Sequence, residues 1–218
     1  MEKLFLYFIA LIPGIAIALY IYFKDKYEPE PLKLVFVCFG LGIVCFILNA
    51  FLDKPIDTIA VGISSIALKD FIEELCIFII LIGLVYRNKD FNEPLDGIVY
   101  AVMVAMGFVT AKNINSIFSA EESGMVWSML SSVLSHAAYA VLMGYFLGKA
   151  KFKMQHQTGY IIGALALPFI FHFMYDIIQL LSIFSGAWIG LIASLLIIVF
   201  LGKQAVDSYQ KESPFKKK

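Results

Sequence analysis

Charge is what this sequence has least of. Asp, Glu, Lys and Arg make up only 16% of its 218 residues, and the basic and acidic ones cancel to a net charge of zero. That balance removes the electrostatic support nucleic-acid binding requires. No polar stretch is long enough for a separate soluble domain, so residues 1–218 read as one membrane-embedded unit. Cysteine is scarce too. Cys38, Cys45 and Cys76 all fall inside apolar runs, with no CxxC and no histidine close by, and read as small packing residues rather than disulfide or thiolate chemistry. Internal repeats and low-complexity linkers are absent. The apolar stretch Leu4–Phe23 is too long for a typical signal-peptide core and lacks a small-residue exit before the charged "KDKYEPEP", so it reads as a first membrane helix.

What the chain has in abundance is apolar length: 61% of it is hydrophobic and its mean hydropathy is +0.84. Runs of about 20 residues, enough to cross a bilayer, lie near Leu4–Phe23, Leu32–Leu52, Ile63–Tyr86, Leu95–Phe118, Val126–Leu147, Gly159–Leu181 and Gly186–Leu201. The fold expected is all-α: a polytopic transmembrane bundle of about seven helices. Lys24, Lys26, Lys33, Arg87, Lys89, Lys149, Lys151, Lys153 and the terminal Lys216–Lys218 fall in alternate connections, against only Lys3, Lys54 and Lys69 on the other side. The positive-inside rule then puts the N-terminus outside and the C-terminus in the cytoplasm, with residues 203–218 as a solvated lysine-rich tail having weak affinity for anionic lipid. Gly40, Gly42, Gly107, Gly144 and Gly148 fit close helix approach.

Against this background "KDFIEELCIF" stands out, because Glu73 and Glu74 interrupt a run that otherwise reads as buried in the membrane. A carboxylate at the centre of a membrane helix costs about 2.5–3.5 kcal/mol on insertion scales, so two in succession call for compensation. In the orientation above, Glu73 and Glu74 on the third helix and His136 on the fifth lie about 15 Å below the outer surface. His172 on the sixth lies about 14 Å deep, and Lys112, Asn113 and Asp176 about 8 Å. Four helices thus bring their polar groups to one level. His172 and Asp176 are i,i+4 and share a face, so the aspartate can orient the imidazole. Glu73 and Glu74 point about 100° apart, so one faces the cavity and the other supports it or meets a neighbouring helix.

Two histidines and a carboxylate form a donor set for a catalytic zinc; Glu74, His136 and His172 are the ligands expected, with the second carboxylate as general base. The spacing is not HExxH, and the same groups suit a metal-free route in which a glutamate activates water, His136 holds it and His172 donates to the developing oxyanion. A proton-coupled transporter would use similar residues, but it expects inverted repeats or broken helices around the site, and the sequence has neither.

Ordered blocks along the chain resemble the PrsW family of intramembrane proteases, itself similar to the CAAX prenyl endopeptidase-like membrane enzymes. They are "IPGIAIALYIYFKDKYEPEPLKLV", "FIEEL", "FNEPLDGIVYAVMVAMGF", "SHAAYAVLMGYFLGKAKF" and "FHFMYDII". The resemblance implies a bacterial plasma-membrane enzyme that cuts a single-span membrane protein near its extracytoplasmic side, often as the first cut in destroying an anti-sigma factor. It also implies Glu73, Glu74, His136 and His172 as the active site; by their level in the membrane, Lys112, Asn113 and Asp176 are the supporting residues expected. Two positions depart from the family pattern: EExxK ends here on Ile77, and the fourth helix reads Lys112-Asn113 where Glu-Asn is usual. The departure either moves a Lys–Glu pairing to a different helix, with Lys112 reaching Glu73 or Glu74, or marks a non-cleaving regulatory member of the fold.

Overall fold

A computed structural model describes residues 2–119, 125–181, 192, 196, 200 and 202–215. Helix α1 is Glu2–Tyr22, α2 Leu32–Ile59, α3 Ile63–Ile80, α4 Pro94–Ser119, α5 Met125–Phe152, α6 Gln157–Leu181 and α7 Lys203–Glu212; no strand occurs among the described residues. The first six match the first six apolar runs to within a few residues at most ends. The seventh run, Gly186–Leu201, lies almost wholly outside the described residues.

Five of the helices, α1, α2, α4, α5 and α6, are long and apolar enough to cross a membrane. Of the other two, α7 is only 10 residues long, and α3 carries Lys69, Asp70, Glu73 and Glu74 along one stretch. Large apolar side chains on α1, α2 and α6 face outward, among them Phe8, Ile12, Phe36, Phe51 and Ile162. A continuous apolar exterior of this kind is unstable in water and is what lipid requires, so the chain is a multi-pass membrane protein.

Helix α4 is the axis of the bundle. It contacts α1, α2, α5 and α7, and from Ile98 to Met106 every residue is buried. Lipid offers no hydrophobic drive for one helix to join another, so this assembly depends on close van der Waals fit, which small residues permit. A Cβ on Gly42 would meet the Val104 carbonyl, and one on Gly107 the Phe39 carbonyl. Gly144 and Gly148 press in the same way on Gly97 and Pro94. These four glycines make the close approaches expected of them, whereas Gly40 faces open space. Around α4 the helices close a ring in the order α4, α5, α6, α3, α2, each packed on the next and α2 packed again on α4.

Three local features depart from expectation. Helix α2 continues to Ile59, past its apolar limit at Leu52, and Asp57 there pairs with Lys69 of α3 at 2.7 Å. That pair spans a turn at Gly62, whose φ of 61° favours glycine. Helix α3 ends in a π-helical turn, Leu81–Val85, with Tyr86 N donating to Leu81 O at 2.7 Å. Finally, residues 203–212 form a helix docked on the bundle rather than a solvated tail. Ala205, Val206 and Tyr209 share one face and are buried, and the Tyr209 hydroxyl donates to Tyr145 O at 2.7 Å.

Replacing Gly107 by valine should force α2 and α4 apart and cost more than the about 1–3 kcal/mol typical of overpacking. The melting temperature of detergent-purified protein is the measurement; Gly40→Val should leave it near wild type, and equal melting of the two variants would contradict the close approach.

Candidate active site

Asp70, Glu73 and Glu74 occupy positions i, i+3 and i+4 of α3, so all three turn toward the interior of the ring. Opposite them stand Lys112 on α4, His136 on α5 and His172 on α6. All but the lysine are 5% exposed or less.

Glu73 is held from two sides. Lys112 Nζ donates to Oε1 at 2.8 Å and to Oε2 at 3.0 Å, and His136 Nε2 lies 2.8 Å from Oε1. The relocated lysine therefore does reach across from α4 to α3. Glu74 lies about 100° further round the helix, and its Oε1 accepts from His172 Nδ1 at 2.9 Å. His172 Nε2 lies 4.0 Å from Asp70 Oδ1, and Asp176 joins Asp70 and His172 in a group whose ligating atoms are within 4.8 Å of one another. Asn113 is spent on structure: its Nδ2 donates to Met129 O at 3.2 Å, tying α4 to α5.

The histidine hydrogen bonds determine which nitrogens are available. His136 Nδ1 is 2.7 Å from Ser132 O, a carbonyl that can only accept, so Nδ1 carries a proton, and Nε2 faces the Glu73 carboxylate. Two acceptors at 2.8 Å require a proton or a cation between them. His172 Nδ1 likewise donates to Glu74, which leaves Nε2 as the nitrogen turned away from Glu74. The ring of His172 is fixed further by Tyr139, stacked on it at 4.8 Å, and by the edge of His136 at 5.2 Å.

Glu73, His136 and His172 place one ligating atom each within 4.8 Å of the others. This two-histidine, one-carboxylate set suits zinc, and the Glu74 contact on the far nitrogen of His172 is the outer support such ligands ordinarily have. The set contains Glu73, with Glu74 behind His172, whereas Glu74 was the ligand expected from the sequence. The charges also allow a metal: four buried or half-buried carboxylates, Asp70, Glu73, Glu74 and Asp176, face a single ammonium, Lys112. Sequence reasoning passed over Asp70 and Tyr139, although Asp70 precedes the glutamates by one helical turn and Tyr139 follows His136 by three residues, spacings that mark shared faces.

Residues 30–202 match the family model described as PrsW family intramembrane metalloprotease. The chain belongs to the PrsW family. It is 33% identical to the protease PrsW of Geobacillus kaustophilus (strain HTA426), over 82% of this chain and 81% of that one. The Bacillus subtilis (strain 168) protease PrsW is 34% identical, over 76% of this chain and 78% of its own. For the Clostridioides difficile (strain 630) protease PrsW the identity is 29%, over 97% and 94%. No solved structure matches the chain. Family membership and the membrane-crossing helices identify an intramembrane protease of a bacterial membrane.

Position 77 is a buried isoleucine one turn beyond Glu73. A lysine there would stand i+4 to Glu73, the favourable order for a helical Glu–Lys pair. Lys112→Met should lower the melting temperature by roughly 2–4 °C, about 1 kcal/mol; the figure is modest because the lysine side chain is 36% exposed and Glu73 keeps His136. Adding Ile77→Lys to Lys112→Met should recover part of that loss. A further loss in the double variant would mean that Glu73 does not need a cation from either helix.

Proposed function

We propose that this protein hydrolyses a peptide bond of a single-span membrane protein close to the outer face of the membrane, with Glu73, Glu74, His136 and His172 as its catalytic residues. The observation that carries the reading is the convergence of Glu73, His136 and His172, from three helices, with Glu74 directing His172. An anti-sigma factor is the substrate proposed, its cleavage being the first cut of a regulated degradation. The N-terminus lies outside and the C-terminus in the cytoplasm, as the lysine distribution favours, which sets the site in the outer half of the bilayer.

Zinc would be held by Glu73, His136 and His172, and when bound it supplies a Lewis acid that polarises the scissile carbonyl and lowers the pKa of water. The chain's own residues do the rest. Glu73 is committed to Lys112 and His136, whereas Glu74 uses only Oε1, on His172, among the described residues. Glu74 is therefore the carboxylate free to take a proton from the attacking water and pass it to the leaving amine. Asp70 and Asp176 add negative charge beside His172, Asp70 Oδ1 lying 4.0 Å from Nε2, and the ring of helices keeps bulk water from the reacting bond. The Lys112 contact favours a second reading of the same hydrolysis, in which the ammonium supplies positive charge and no metal takes part.

Glu74→Gln and His172→Ala should each reduce cleavage of a co-expressed single-span substrate by about 10²–10⁴-fold, while Asn113→Ala retains cleavage wherever the protein folds. Unchanged processing in the first two variants would refute the assignment. Metal analysis and cleavage with and without a chelator separate the two readings: one equivalent of zinc, lost in His136→Ala, supports the metal route, and chelator-insensitive cleavage by metal-free protein supports the other.

A further inference from the structure

A second cluster of acids lies at the other end of α4, 16 residues before Lys112 and so roughly 24 Å from the candidate active site. Asp25 and Glu30 come from the loop between α1 and α2, and Asp96 from the first turn of α4; one oxygen of each lies within 4.8 Å of the others. All three residues are buried, and none forms an ion pair with a described residue. Lys151, the nearby cation, is instead spent on the carbonyls of Tyr86 and Asn88, at 2.6 and 3.2 Å.

The hydrogen bonds here follow one pattern, in which a carboxylate is anchored by one oxygen and leaves the other free. Asp96 Oδ2 accepts from the backbone amides of Asn92 and Glu93 at 2.7 and 2.8 Å, and Oδ1 has no partner. Glu30 Oε2 accepts from the Tyr100 hydroxyl, and Oε1 has none. Beside them Glu93 Oε2 accepts from the Ser213 hydroxyl, just past α7, and its Oε1 is free as well. Asp25 is 4% exposed and neither of its oxygens has a partner; the Tyr27 and Glu28 amides lie near it without closing to hydrogen-bond geometry. Leaving such groups unpaired in a buried site costs about 1–3 kcal/mol each, more when charged. Burial, and next the charge of Asp96, push the Asp25 carboxyl up to about 6; burial pushes Glu30 upward and Glu93 to about 7. Buried carboxylates that approach one another and keep unpartnered oxygens are what an oxygen-liganded metal site presents.

We propose that Asp25, Glu30 and Asp96 bind a hard divalent cation, of the Mg2+ or Ca2+ class, which clasps the α1–α2 loop to the start of α4. Carboxylate oxygens alone select hard cations over zinc, and three negative charges suit a divalent ion. Helix α7 closes over this end of the bundle through Ser213 on Glu93 and through the Gln210 side chain, which donates to Lys24 O, so the cation also steadies the docked C-terminal helix.

The test uses full-length protein in detergent, stripped with a chelator and then given Mg2+, Ca2+ or Mn2+. Saturating cation should raise the melting temperature by about 5 °C or more, and Mn2+ should show one bound equivalent by electron paramagnetic resonance. Asp25→Asn and Asp96→Asn should each abolish both effects; asparagine at 96 still accepts the two backbone amides, so the fold is kept. His172→Ala should retain both, which separates this site from the candidate active site. Removal of Lys216–Lys218 should change neither. The proposal is overturned if wild-type protein shows no shift, if the asparagine variants shift equally, or if binding appears only in the truncated chain, which would mean that the tail lysines neutralise the cluster.

Discussion

The buried Glu73 carboxylate is the constraint around which the bundle is arranged. Its charge is tolerable inside an apolar assembly only with opposite charge and hydrogen-bond donors at short range, and it has Lys112 from α4 and His136 from α5. Meeting that need sets the register of three helices relative to one another. A shift of α4 by one turn, about 5.4 Å, would carry Lys112 out of reach and leave Glu73 with the imidazole alone. Glu74 imposes a similar condition on α6 through His172.

Close packing satisfies these conditions without a hydrophobic drive. The glycine contacts of α4 with α2 and α5 let backbones touch at defined levels, and a helix seated by backbone contact has little freedom to slide. Polar pairing and steric fit therefore act on the same degree of freedom. The polar groups occupy the interior of the ring, while the outer faces of α1, α2 and α6 remain apolar. The acid cluster at the far end of α4 is buried in the same way, with Glu30 and Asp96 each anchored by a neighbour and Asp25 unpaired beside them.

The cation that partners Glu73 comes from Lys112, while Ile77, one turn along α3, is buried in apolar packing. A lysine at 77 would approach the glutamate along α3, whereas Lys112 crosses from α4. The latter binds α3 to α4 directly, a pair of helices that otherwise meet over a small area.

Hydropathy and length alone picked out α1, α2, α4, α5 and α6 as helices able to cross a membrane, because a run of about 20 apolar residues has few other stable places. The level of the polar residues along each helix was also legible, since rise per residue converts position into depth, and Glu73, Glu74, His136 and His172 do meet. The pairings were decided only by tertiary structure. Whether Glu73 or Glu74 faces Lys112, and whether Asp70 joins His172, depends on helix rotation, which periodicity cannot specify for helices that are apolar on nearly every side. The docking of residues 203–212 and the gathering of Asp25, Glu30 and Asp96 were equally hidden, because loops and chain ends acquire their neighbours from the packing of the helices between them.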